Sequence, residues 1–198
     1  EGLAETFNYQ EWIADQFYPY LHGRIMEIGA GIGTMAKRWL VRADELHLVE
    51  PAKNLFPVLR ENFHNCPNVV LHQGNLGEIL SKNPGLAVKA FDAVIMVNVL
   101  EHIEDDACVL ELIHRMLRPG GHLLIFVPAM PALYGSLDKK FGHYRRYTKA
   151  GLVAVCGKAG YEIVCSSYFD MFGAFPWWLI NCVLHSSTLN PRMAKLYD

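Results

Sequence analysis

The sequence predicts an α/β protein: a doubly wound, mostly parallel sheet with helices on both faces. Three observations carry this. Short apolar runs alternate with longer amphipathic segments along the chain, the rhythm of strand-helix repeats. The run Phe91 to Val97 is unbroken apolar after Asp92, as a strand covered on both faces must be. A glycine-rich turn, Gly29-Ala30-Gly31-Ile32-Gly33, stands where an apolar run gives way to a helical pattern. The 198 residues, 52% hydrophobic and 19% charged, suit a single globular domain over 1–198 and exclude a disordered chain.

The elements follow in order. An N-terminal helix is expected at about 9–21, with Glu11 to Leu21 its most periodic part. Arg24 to Ile28 reads as the first strand, running into the glycines, and Thr34 to Val41 as a helix. Leu46 to Glu50 is the second strand, Lys53 to Phe63 its helix, and Val69 to His72 a third strand before Phe91 to Val97. Acidic Glu104 to Asp106 opens a helix ending near Arg118, where Pro119-Gly120-Gly121 makes a stop and turn ahead of the strand His122 to Val127. Residues 128–147 read as one long irregular stretch, and connections of that length are usually functional, so substrate contacts are expected there. Thr148 is a suitable N-cap for a helix to Ala159, with Gly160 beyond it and a strand from Tyr161 to Tyr168. Nothing after Leu184 reads as a closing antiparallel strand, so the sheet is expected to lack it and the chain to be shortened there. Phe172 to Leu184, with Trp177 and Trp178, is apolar enough to be core, to cover an acceptor pocket, or to make a homo-oligomer.

Composition narrows the function. A net charge of −2 offers no positive field for a phosphate backbone, so nucleic acid is not expected as a partner. The five cysteines are scattered, without a C-x-x-C pair, which suggests a reducing, cytoplasmic setting. Glu1 to Asn8 lacks the features of a signal peptide, and Met171 to Leu184 is too short and interrupted to span a membrane. No metal-ligand spacing local in sequence is found; a magnesium-dependent mechanism would need ligands assembled from distant positions.

Glu27-Ile28-Gly29-Ala30-Gly31-Ile32-Gly33 at a strand-to-helix junction reads as a nucleotide-type loop. The chain has no Gly-Lys-Ser/Thr of a P-loop, and position 34, where a dinucleotide fingerprint wants glycine, is Thr34. Glu27 would repel a pyrophosphate and suits a cationic amino group. Glu50, at the end of the second strand, is placed to accept both hydroxyls of a ribose, with Pro51 beside it. An NAD-dependent oxidoreductase is the rival reading, and a cofactor-binding module without turnover is a third.

These residues resemble class I S-adenosylmethionine-dependent methyltransferases of Rossmann-like fold, over about Arg24 to Tyr168. The resemblance implies S-adenosylmethionine as cofactor, S-adenosylhomocysteine as product, and methyl transfer to a small organic acceptor at a hydroxyl or other heteroatom. It places Glu27, Gly29, Ala30, Gly31, Gly33, Glu50 and Pro51 at the cofactor, and Asn75 and Leu76 at the adenine, with Asn75 where the family often has Asp. Asn98-Val99-Leu100-Glu101-His102-Ile103 is similar to the family's stretch at the methionine moiety, which brings in Asn98, Val99 and His102; the alternative is that Glu101 and His102 merely cap the next helix. Leu117-Arg118-Pro119-Gly120-Gly121 matches the family's following turn. The Asn-Pro-Pro-aromatic motif of nucleobase and amide methylators is not present. Tyr9 could close over the cofactor or simply pack in the core.

Leu137 to Tyr147 concentrates a histidine, two arginines and aromatics, and its Gly-His-x-Arg-Arg-Tyr resembles a bacterial methyltransferase subgroup. A histidine near its ordinary pKa can take the proton of a hydroxyl acceptor, so His143 is expected to be catalytic, with Arg146, Tyr134 and Asp138 at the substrate. The plain alternative is a solvated basic loop paired with acids of the domain.

Overall fold

The computed structural model describes residues 7–168. The described residues divide into two compact units: one formed by 10–97 with 112–126, the other by 98–111 with 127–168 and 7–9. The first contains the whole sheet. Its strands are β1 (Arg24–Ile28), β2 (Glu45–Glu50), β3 (Val69–Gln73), β4 (Phe91–Val97) and β5 (Leu117–Phe126). They lie in the order β3-β2-β1-β4-β5, every pair parallel. Parallel neighbours need a crossover between them, and α2 (Ala36–Trp39), α3 (Phe56–Phe63), α4 (Leu76–Lys82) and α5 (Asp106–Met116) alternate with the strands in sequence; α1 (Phe7–Phe17) precedes them.

Burial explains why these runs became strands. Ile25, Met26, Leu46, Leu48, Val94, Ile95 and Met96 are all fully buried, with side chains pointing to alternate faces. A sheet hidden on both sides has no polar face, which is why the apolar runs look continuous in the sequence. At the amino end of the sheet, Asp92 accepts the Arg24 N–H at 2.7 Å and the Arg118 guanidinium at 2.8 Å, joining β1, β4 and β5. Burial alone would raise its pKa, but these donors hold it below the ordinary value. Gly23, at φ +66°, leaves no room for a Cβ beside the same carboxylate.

The second unit carries α6 (Ser136–Phe141) and α7 (Lys149–Lys158). The Thr148 hydroxyl caps α7 by accepting the Gly151 N–H at 2.9 Å, and Gly142 ends α6 in the left-handed region at φ +77°.

Several expectations need correction. The stretch 128–147 is not irregular throughout: α6 and a 3-10 turn at Pro131–Leu133 lie within it. The N-terminal helix covers Phe7–Phe17 and tightens to a 3-10 turn at Tyr18–Tyr20, where Pro19 can give no backbone hydrogen bond. The helix expected from Thr34 is only the turn Ala36–Trp39. Pro119-Gly120-Gly121 is taken into β5 as an irregularity in its pairing with β4. Residues 161–168 form no strand; Ile163 and Val164 are exposed, so the β-rich composition there has nothing to pair with among the described residues. Helix α4 has no counterpart in the sequence reading. The expectations for Phe172 to Leu184 and for the closing strand lie outside the described residues.

Candidate cofactor and acceptor sites

In the sheet unit the carboxyl ends of β1, β2 and β3 are joined through one residue. Glu50 accepts the Gly31 N–H on Oε2 at 2.6 Å and the Ala52 N–H on Oε1 at 2.7 Å, while its carbonyl accepts the Gly74 N–H at 3.2 Å. The Gly29 and Ala30 N–H groups donate to the Val49 carbonyl at 2.8 and 3.0 Å. The glycine loop is thereby fixed against β2, and its three glycines differ in purpose. Gly33, at φ +85°, has Phe63 and Leu59 of α3 where a Cβ would go, so it serves packing. Gly31, at φ +58°, has nothing within 4 Å of that position: a backbone conformation that favours glycine, facing open space, is what a ligand approaching the main chain requires.

Glu27 sits one residue inside the end of β1, 2% exposed, and its Oε2 has no hydrogen-bond partner. Burial pushes its pKa up to about 8; the Trp39 indole beside it opposes this and the Glu50 charge adds to it. The carboxyl group therefore holds a proton at neutral pH that an arriving cation would displace. Asn75 is the N-cap of α4: its Oδ1 accepts the Glu78 N–H at 2.9 Å, and Glu78 accepts the Asn75 N–H in return. It is exposed and Leu76 is buried, whereas Pro51 lies at the surface.

Asn98, Val99 and His102 belong to the other unit. Asn98 has φ +53°, a left-handed conformation that costs a non-glycine residue energy and gathers at functional sites. Glu101 and His102 follow on the 3-10 turn Leu100–His102, so the second capping role considered for them is not what they do there: the start of α5 is instead served by Asp105, whose Oδ1 accepts the Cys108 N–H at 3.0 Å.

Around this turn the unit builds a cluster from the far part of the chain. Asp138, fully buried, accepts His143 Nδ1 at 2.8 Å and Arg146 Nε at 2.8 Å on Oδ1, and the Gly135 N–H at 2.9 Å on Oδ2. Burial would raise its pKa, but these donors hold it well below the carboxylate range. The His102 and His143 rings meet edge to face at 4.6 Å. Glu101 is fully buried and neither carboxylate oxygen has a hydrogen-bond partner. Burial pushes its pKa up to about 7, against the pull of its own backbone, His143 and Arg146, with Asp138 adding to the rise. One ligand atom each of Glu101, His102 and His143 lies within 4.8 Å of the other two.

Asp138 and Arg146, expected at the substrate, are turned onto each other, and Asp138 holds His143 on the same oxygen. Arg146 is 6% exposed along its side chain and also reaches the Ala129 carbonyl. The Tyr134 hydroxyl donates to the His143 carbonyl at 2.7 Å. Tyr9 is half-buried in α1. The sequence reading missed Glu101 as an unpartnered carboxylate; its signal was an Asn-x-x-Glu-His run directly after a buried strand.

An open parallel sheet whose order reverses at β1, with a glycine loop there and an acid ending β2, defines a nucleotide-binding α/β protein of Rossmann-like type. A family described as "Methyltransferase domain" matches residues 26–123, and the chain belongs to the class I S-adenosylmethionine-dependent methyltransferases. Among its relatives, Probable polyketide synthase 40 of Dictyostelium discoideum is 28% identical over 63% of this chain, which spans only 5% of that synthase. The Ubiquinone biosynthesis O-methyltransferase of Aeromonas salmonicida is 28% identical over 58% of this chain and 47% of that protein. A solved S-adenosylmethionine-dependent methyltransferase from Mesorhizobium loti superposes with TM-score 0.67 over 84% of this chain and 90% of that one; at 16% identity it speaks for the fold alone.

Proposed function

We propose that the domain methylates a hydroxyl group of a small organic acceptor, using S-adenosylmethionine. The observation that carries the acceptor chemistry is His143, held by buried Asp138 through Nδ1 at 2.8 Å. This bond leaves Nε2 as the acceptor nitrogen, so the ring is set to take a proton. His143 would take the proton of the acceptor O–H, and S-adenosylmethionine, held by the glycine loop and Glu50, would supply the methyl group, with its sulfur as the leaving group and S-adenosylhomocysteine as product. Positive charge on sulfur disappears in this step, so positioning and exclusion of water supply much of the acceleration.

On the cofactor side, Glu50 offers its remaining lone pairs to the ribose, Gly29, Ala30, Gly31 and Gly33 shape the loop, and Glu27 meets the amino end. Asn75, Leu76 and Pro51 flank the adenosine, and Asn98, Val99 and His102 the methionine portion. The relative named as an O-methyltransferase supports a hydroxyl acceptor; the relatives named as polyketide synthases support a polyketide-like one. Residues 1–198 would work as one catalytic domain, since neither unit is continuous in sequence. Among the described residues no helix is long and apolar enough to cross a membrane; the four cysteines described are free, which supports a cytoplasmic setting, and the acidic balance argues against nucleic acid.

The test is a screen of hydroxylated aromatic and polyketide-like acceptors, followed by His143→Ala on any that turns over. Turnover should fall about a hundredfold to ten-thousandfold with S-adenosylhomocysteine affinity retained. Equal loss of both would make His143 a structural residue, and cofactor binding without turnover on any acceptor would favour the binding-module reading.

A further inference from the structure

We infer that Glu101, His102 and His143 form a binding site for a divalent first-row transition ion such as Mn²⁺, Co²⁺ or Zn²⁺. Three independent features of the unit point there. The carboxylate of Glu101 is fully buried with neither oxygen hydrogen-bonded, a costly state for a polar group unless a ligand completes it. Two imidazoles share its surroundings, all three donor atoms lying within 4.8 Å of one another. One imidazole is also braced from behind, as metal-binding histidines are: His143 donates Nδ1 to Asp138 at 2.8 Å.

Donor chemistry selects the ion. Two nitrogens and one carboxylate oxygen suit imidazole-tolerant transition ions, whereas Mg²⁺ and Ca²⁺ prefer oxygen throughout. Ligand bonds of about 2.0–2.2 Å require the donors to close by roughly 1 Å, which exposed His102 can supply by rotating its ring. Arg146 is the cation that would oppose binding, and Asp138 already pairs with it at 2.8 Å, so its charge is largely balanced. Three protein ligands leave positions open, as in catalytic rather than structural sites.

The ion's use in catalysis rests on the methyl-transfer reading; its binding does not. A hydroxyl coordinated at an open position would be acidified and its proton released to water; His143 would then act as ligand instead of base, and His102 as ligand instead of a contact of the methionine portion.

The experiment is titration of the full chain with Co²⁺ alone, followed by calorimetry and by visible absorption, with Mg²⁺ in parallel and without cofactor or acceptor. One equivalent of Co²⁺ should bind with a d–d band showing nitrogen ligation, at least tenfold tighter than Mg²⁺. Glu101→Gln and His102→Ala should each weaken it about tenfold to a hundredfold. Glu101→Gln keeps the volume and removes a buried charge, so an unchanged thermal transition confirms that this variant is folded. Absence of one-equivalent binding, or binding that neither substitution weakens, would overturn the site. S-adenosylhomocysteine titrated separately shows whether the methyltransferase reading stands, so either can fail alone.

Discussion

The two ends of the parallel sheet treat buried acids in opposite ways. At the amino end, Asp92 is saturated by Arg24 and Arg118 and its pKa is held down. At the carboxyl end, Glu27 is more deeply buried, keeps an oxygen without a partner, and is pushed up to about 8. The same contrast recurs in the second unit, where Asp138 is tied by His143, Arg146 and Gly135 while Glu101, equally buried, has no hydrogen bond at either oxygen. A paired acid holds the fold together. A buried acid left short of partners is maintained against its own cost, and such groups mark where ligands are met.

The contrast can be broken most forcefully at Asp138. Asp138→Ala leaves the Arg146 charge buried without its carboxylate and should cost about 3–5 kcal/mol of stability, read from the shift of the urea midpoint; a loss below 1 kcal/mol would mean that the ion pair is not structural. Glu50→Ala removes charged hydrogen bonds from cofactor and loop together, and should weaken S-adenosylhomocysteine about tenfold to a hundredfold by calorimetry. Unchanged affinity would take Glu50 out of the site.

Asp92→Ala should do the reverse: a modest loss of stability of about 1–2 kcal/mol with S-adenosylhomocysteine affinity unaltered, since it acts at the other end of the strands. A further effect concerns pH. Because Glu27 keeps its proton in the folded state up to about pH 8, while the unfolded carboxyl ionises near its ordinary value, the folded state binds more protons between these limits and stability falls as pH rises through them. Glu27→Gln abolishes that slope, so the variant should gain on the wild type from pH 5 to pH 8 in paired denaturation curves. A constant difference between the two would show that Glu27 is ionised in the fold.

Much of this was legible in the residues. The uninterrupted apolar run of β4 and the glycines after β1 announced the sheet and its loop because both obey strong local rules, burial on two faces and positive φ. Glu50 was legible because an acid ending the second strand has few other reasons to be there. Helix α4 was not, since its seven residues depend on the Asn75–Glu78 capping box more than on periodicity. Nor was the coming together of Glu101 and His102 with His143, for no spacing rule joins residues so far apart in the chain. For Arg146 the sequence offers both a substrate contact and a pairing with acids of the domain, and only the fold shows that its carboxylate partner is the buried Asp138.

The central claim, that the carboxyl end of the sheet holds an adenosyl amino acid, is tested most directly by calorimetric titration of the full chain with S-adenosylhomocysteine, with NADH alongside. The account predicts micromolar, one-to-one binding of S-adenosylhomocysteine, weakened by Glu50→Ala, and no binding of NADH. Binding of NADH alone, or no binding of S-adenosylhomocysteine by a folded chain, would contradict it.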